Sequence, residues 1–252
     1  MLFELRRRAT RILGALLSNK ARKYLRFLMV RAIEATGRDY FPAHDALDRK
    51  LLKHIGHIRN GTFIEAGAND GLAQSNTWHL ERRKGWRGLL VEPVPEIAAL
   101  CRQFRKSRVE CSALGRFDQE GTSVTMHYGA LMTAAEGADT SHMQGGSAAE
   151  HAREGASWVG RNSYSFEAPV HALSTLIDRV GLSSIDLLSL DVEGFEVNVL
   201  EGVDFDRHPI RYILVETSNL PSVEAALGQR YTLVDKLSRH DYLFRHKDAV
   251  AS

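Results

Sequence analysis

Short apolar runs alternate with stretches of helical periodicity along most of this chain, and each run stops at a small or acidic residue. No other feature constrains the fold as strongly. The runs 62–64, 89–92, 109–111, 185–190 and 210–215 read as strands, and several are apolar over most of their length, on both faces of an extended chain. Strands of that kind need helices above and below them, which is the arrangement of a parallel sheet. Helical spacing fills the gaps at 75–84, 95–106, 173–180 and 195–200, and a further helix is expected over 45–58 with Asp45 as its N-cap. A strand is expected at 123–128, and 231–234 with 242–244 read as a closing pair. The fold class is therefore α/β, with an open, mostly parallel sheet covered on both faces.

Ligands of such sheets bind outside the carboxyl ends of the strands, so those positions carry the functional information. They are Glu65 to Gly71 after the first strand, Glu92 after the second, and Ser112-Ala113-Leu114-Gly115 after the third. Asp191-Val192-Glu193-Gly194 and Glu216-Thr217-Ser218-Asn219 follow the fourth and fifth. Counting from Gly67, a dinucleotide fingerprint would place glycines at positions that hold Asn69 and Leu72. An acid also stands two residues before the first glycine, where it would repel a pyrophosphate and suit a cation. S-adenosylmethionine meets that demand, having a sulfonium, an ammonium and a ribose diol but no phosphate. Glu92, 21 residues beyond Gly71, is placed to accept the ribose hydroxyls. The cofactor set expected is Glu65, Gly67, Asn69, Asp70, Gly71, Glu92, Ser112, Ala113 and Asp191.

The segments FIEAGANDG, SNT at 75–77, VEPVPE at 91–96, LSTLID at 173–178, LSLDVEGFE at 188–196 and ILVE at 213–216 occur in that order. Together they resemble the FkbM family of S-adenosylmethionine-dependent methyltransferases. The resemblance spans 62–234, and its most specific part is LDVEGFE after LSTLID. It implies the Rossmann-like class I methyltransferase fold, a seven-stranded sheet with a reversed last strand. It also implies O-methylation of a hydroxyl on a sugar, glycan or natural product.

Transfer from a sulfonium to a hydroxyl requires an aligned nucleophile and a group that takes its proton. Asp191, Glu193 and Glu216 are the candidates, with His142 and His151 next in line; His127 and His171 fall in expected strands and read as structural. Carboxylates on neighbouring strand ends also suit Mg²⁺, but no third oxygen ligand can be placed, and the metal-free scheme is preferred. No Gly-x-Ser-x-Gly elbow supports a hydrolase.

Charge is unevenly distributed. Residues 1–40 hold ten basic and three acidic side chains, +7, whereas the remainder is −5 and the whole chain +2. Residues 2–35 read as a basic amphipathic helix, and 1–44 as an arm on a methyltransferase domain at 45–252. The arm either docks on its own domain or binds a partner, an anionic membrane surface foremost. Its longest uncharged run, 12–19, is far short of the roughly 20 residues that span a bilayer. Two cysteines form no disulfide scaffold or zinc spacing, which favours a cytoplasmic location, at most peripheral to the inner membrane face. The segment 129–166, rich in Gly, Ala, Ser and His, reads as a long irregular insertion, a mobile lid. Two rival functions are a non-catalytic adenosyl-binding module and a nucleic-acid methyltransferase. The acidic core and the lack of an N-P-P-Y-type or catalytic cysteine motif speak against nucleic acid.

Overall fold

A computed structural model describes residues 18–139 and 146–248. Contacts group the chain into two units, 1–40 and 41–252. In the first unit, α1 (Asn19–Ala35) is capped by the Ser18 hydroxyl, which accepts from the Ala21 N–H at 3.2 Å. The remainder of the helix expected over 2–35 lies outside the described residues.

Residues 41–43 are fastened to the second unit. Phe41 stacks on His79, and the Ala43 N–H donates to Asp48 at 3.2 Å. Asp45 is not an N-cap: it has φ +48°, and α2 (Leu47–Ile55) starts two residues later. The Asp48 carboxylate ties the approach to this helix instead.

Seven strands form the main sheet: β1 (Thr62–Ala66), β2 (Arg87–Val91), β3 (Arg108–Glu110), β8 (Ile185–Leu190), β9 (Ile210–Glu216), β10 (Tyr231–Lys236) and β11 (Asp241–His246). Their order across the sheet is β10-β11-β9-β8-β1-β2-β3. All neighbours are parallel except β11, which runs against both β9 and β10. Successive residues divide between two cores. Ile64, Leu89, Leu188, Ile213 and Phe244 join one, under α6 (Leu173–Val180), α7 (Glu196–Leu200) and α8 (Leu220–Leu227). Phe63, Leu90, Leu187, Leu214 and Leu243 join the other, with α2, α3 (Trp78–Arg83) and α4 (Pro95–Phe104). Burial on both faces is what made these strands read as unbroken apolar runs.

A second sheet was not expected. Its strands are β4 (Ala113–Gly115), β5 (Ser123–Tyr128), β6 (Ala134–Ala135) and β7 (Tyr164–Ala172), in the order β4-β7-β5-β6. The stretch read as a loop after the third strand is thus partly a strand, since Ala113 to Gly115 pair in parallel with Val170 to Ala172. The described part of 129–166 is not irregular chain either. It supplies β6, the start of β7, and α5 (Ala148–Trp158), capped by Ser147. Its small residues serve close packing. A Cβ on Gly129 would lie 2.6 Å from the Ala152 Cα, and one on Gly155 would lie 2.5 Å from the Gly129 carbonyl. Larger side chains would push α5 off the segment beneath it.

Candidate functional site

The carboxyl edge of the main sheet gathers the loops after β1, β2, β3, β8 and β9. The chain leaving β1 turns at once. Gly67 has φ +79°, and a Cβ there would fall 1.8 Å from the Asp191 carbonyl, so only glycine lets the ends of β1 and β8 close on each other. The Gly67 and Ala68 N–H groups both donate to the Val91 carbonyl, at 3.1 and 3.0 Å. Asn69, at φ +48°, uses its own side chain to accept from the Asp70 N–H. Asp70 is buried and accepts from the N–H groups of Leu72 and Ala73. Gly71 passes over Cys101 and Arg105, where a Cβ would clash at 2.8 and 2.6 Å.

Beneath this loop lies a network that the strand-end residues did not reveal. Arg105 is buried and donates to Glu81 at 3.1 Å, Glu65 at 3.2 Å, the Gly71 carbonyl at 3.0 Å, Ser75 at 3.1 Å and Thr77 at 2.8 Å. Glu65 also accepts from the Ser75 hydroxyl, the Asn76 N–H and the Thr77 hydroxyl. Glu65, expected to face a ligand, therefore buttresses the loop from below. Burial acts to raise the Glu81 carboxyl, but Arg105 and the Ser107 and Lys106 amides prevail and hold it below its usual range. The SNT segment was the one sequence sign of this network.

Glu92, buried beside the loop, accepts from the Asn69 N–H at one oxygen and the Val94 N–H at the other, each at 2.9 Å. Ser112 is buried and its hydroxyl has no hydrogen-bond partner. The Asn76 carbonyl oxygen is likewise buried without a partner, while its amide donates to Ser189 at 3.1 Å. Orphaned buried polar atoms are costly and usually await a ligand or water.

Across the glycine loop the edge is acidic. Burial, then the charges of Glu216 and Glu193, raise the Asp191 carboxyl well above its usual range. Glu216 is raised to about 7 by partial burial and by Asp241, Glu193 and Glu196, with an opposing hydrogen bond to Asp191. Glu196 is raised to about 7, mainly by burial, although the Gly194 N–H donates to it at 2.9 Å. Asp241, first residue of the reversed strand, pairs in register with Glu216 and completes the group. Sequence reading found Asp191, Glu193 and Glu216 but missed Glu196 and Asp241, the latter because antiparallel β11 brings its amino end to this edge. Among the described residues no three His, Cys, Asp or Glu side chains converge as metal ligands would.

Glu193 adopts φ +52°, uncommon for a residue with a side chain. Its strained conformation is held by α5 and by the chain after β6. His151 of α5 meets the Glu193 carboxylate through Nε2 at 2.9 Å, and the Asp139 N–H donates to the Gly194 carbonyl at 2.9 Å. His151 is 5% exposed, and its Nδ1 has no partner. It is thus a buried, carboxylate-paired imidazole and not a solvated loop residue. His142 lies outside the described residues. His127 bridges Ser165 and Glu136, and His171 pairs with Glu120.

This strand order, with one reversed strand next to the last, a glycine turn after β1 and an acid after β2, defines a class I S-adenosylmethionine-dependent methyltransferase. The family model described as "Methyltransferase FkbM domain" matches residues 65–244, and the chain belongs to that family. Solved structures similar to it include a TehB-like SAM-dependent methyltransferase from Corynebacterium glutamicum, at 12% identity and TM-score 0.39, covering 91% of this chain and 100% of that one. A SAM-dependent methyltransferase from Aquifex aeolicus is 10% identical at TM-score 0.42, covering 79% and 88%. Among curated proteins, sequence comparison finds no match.

Proposed function

We propose that this enzyme methylates a hydroxyl of a sugar, glycan or natural product. The observation that carries the reading is the group of carboxyls with raised proton affinity, Asp191 and Glu216 foremost, beside the glycine turn. A hydroxyl acceptor needs a base during transfer, whereas a thiolate or neutral amine does not. Buried carboxyls with raised proton affinity suit that task better than exposed ones.

The residues fit S-adenosylmethionine. A cationic ligand complements the acidic edge, the orphaned Ser112 hydroxyl lies among the expected contacts, and Gly67 and Gly71 let the loop close tightly on the sheet edge. When bound, the cofactor supplies a methyl group already activated by its sulfonium. Gly67, Asn69, Asp70 and Gly71 would form its cradle, with Glu65 and Arg105 holding that cradle in shape. Glu92 would accept the ribose hydroxyls, and Ser112 and Ala113 would line the far wall. Asp191 would take the acceptor's proton, with Glu216 and Glu193 setting its affinity. His151, through its unpartnered Nδ1, is the second candidate for that role. Mg²⁺ is not required in this scheme.

Segment 129–166, through α5, would close over the acceptor. Slower hydrogen exchange there with cofactor and acceptor present supports that role, and unchanged exchange removes it. The free thiols Cys101 and Cys111 support a reducing, cytoplasmic compartment.

Methyl-labelled cofactor offered to a panel of glycosides, phenols, amines and nucleic acids tests the activity, with the product read by NMR. Label in an O-methyl group supports the proposal. Label in nucleic acid or an amine, or binding without transfer to any acceptor, replaces it with one of the rival functions.

A further inference from the structure

The helix α1 carries an exposed apolar stripe. Leu25, Leu28, Met29 and Ile33 are 46, 51, 58 and 37% exposed, and Ala32 between them is exposed as well. Their three- and four-residue spacing places them on one side of the helix. Val30 and Glu34 fall on the opposite side and are buried. The helix therefore leaves its larger apolar stripe exposed, where an ordinary surface helix buries it.

The charges beside this stripe identify what covers it. At 100° per residue, Arg26 borders one flank, Arg31 and Lys20, with the exposed Tyr24, border the other, and Arg22 stands in line with the stripe at its amino end. The sole acid of the helix, Glu34, is buried and lies 3.8 Å from Arg31. The exposed face of α1 is thus apolar in the middle, cationic along both sides, and holds no carboxylate among the described residues of the helix. A second copy of the helix laid on this stripe would bring two rows of cations together. An anionic bilayer surface complements both features: the stripe enters the acyl boundary while the long basic stems reach back to phosphate groups. Seventeen residues span about 25 Å, lying in the plane of the surface. None of the described helices is long and apolar enough to cross a membrane.

We propose that α1 is an interfacial helix that holds this enzyme on an anionic membrane, inserting Leu25, Leu28, Met29 and Ile33. The proposal is independent of which acceptor is methylated.

Co-sedimentation of the full chain with vesicles tests it, comparing phosphatidylcholine alone with phosphatidylcholine containing phosphatidylglycerol. Binding is expected on the anionic vesicles only and is expected to fall in high salt. The pair Leu28→Glu and Met29→Glu, both outward-facing, should leave circular dichroism and melting unchanged and weaken binding at least tenfold. The pair Lys20→Gln and Arg26→Gln, one from each flank, should weaken it by roughly tenfold or more, at about 1 kcal/mol per basic residue. Failure of the wild-type chain to bind anionic vesicles overturns the proposal. So does binding that survives Leu28→Glu with Met29→Glu, or sedimentation showing a dimer that these changes dissociate without any vesicle binding. Calorimetry with S-adenosylmethionine on the same samples keeps a failure of cofactor binding separate from either outcome.

Discussion

Glu92 and Asp191 face the same edge but depend on different neighbours, so their substitutions should separate binding from transfer. Glu92→Ala removes a carboxylate that holds two backbone N–H groups and is proposed to hold the ribose. It should weaken S-adenosylmethionine binding by about 1–3 kcal/mol, read by calorimetry. Asp191→Asn keeps shape and hydrogen-bonding capacity while removing the proposed base. Turnover should fall by about 10²-fold or more, with cofactor affinity little changed. An active Asp191→Asn enzyme would move the base to His151, and His151→Gln would then show the loss. The raised affinities of Asp191 and Glu216 give a third outcome. A cation arriving beside them lowers their proton affinity, so cofactor binding near pH 7 should release protons. Calorimetry in two buffers of different ionisation enthalpy measures that release, and equal heats would remove the carboxyl group from the cofactor's surroundings.

At the scale of elements, Arg105 decides whether the β1 loop exists in its observed form. It comes from the end of α4 yet joins Glu65 of β1, Glu81 of α3 and the Gly71 carbonyl. Arg105→Met would leave two buried carboxylates without their cation. The expected cost is about 3–5 kcal/mol, the scale for breaking a buried pair from one side. For a chain of this size that lowers the melting temperature by roughly 6–20 °C. Arg105→Lys should rescue only part of it, because one ammonium cannot reach five acceptors in a fork. A variant that melts within 2 °C of wild type would show that the loop is held by other contacts.

For the whole molecule, the acidic edge makes stability depend on pH with a definite sign. Glu196 and Glu216 titrate at about 7 in the folded chain and near 4.5 when unfolded. Between those values the native state binds more protons than the unfolded state, so stability falls as pH rises from about 4.5 through 7. Glu196→Gln removes a buried charge while keeping an acceptor for the Gly194 N–H. It should therefore raise the melting temperature at pH 8 and change it little at pH 5. Thermal melts across this range check the sign, and a wild-type melting temperature that rises between pH 5 and 8 contradicts it. Saturating S-adenosylmethionine should add stability by mass action, about 2.7 kcal/mol at a hundred times its dissociation constant.

Legibility in the sequence followed locality. Strands buried on both faces announce themselves as apolar runs, and a turn that requires positive φ announces itself by Gly67 and Gly71, so the main sheet and the first loop were readable from the residues. Glu92 and Asp191 were readable because each directly follows a strand. Relations between distant segments were not. Nothing near Glu65 indicates that Arg105, forty residues on, will occupy its carboxylate, and nothing near Glu193 indicates that His151 will meet it. The 129–166 segment looked irregular because small residues lack a hydrophobic period, yet their smallness is what lets α5 approach Gly129. Asp241 joined the acidic edge only because its strand runs backwards. The sequence by itself determined the fold class, the sheet and the carboxylates that chemistry can use. The tertiary structure alone decided which of them support the loop, which raise one another's proton affinity and which imidazole stands beside them, since those roles depend on burial and on partners that chain distance does not reveal.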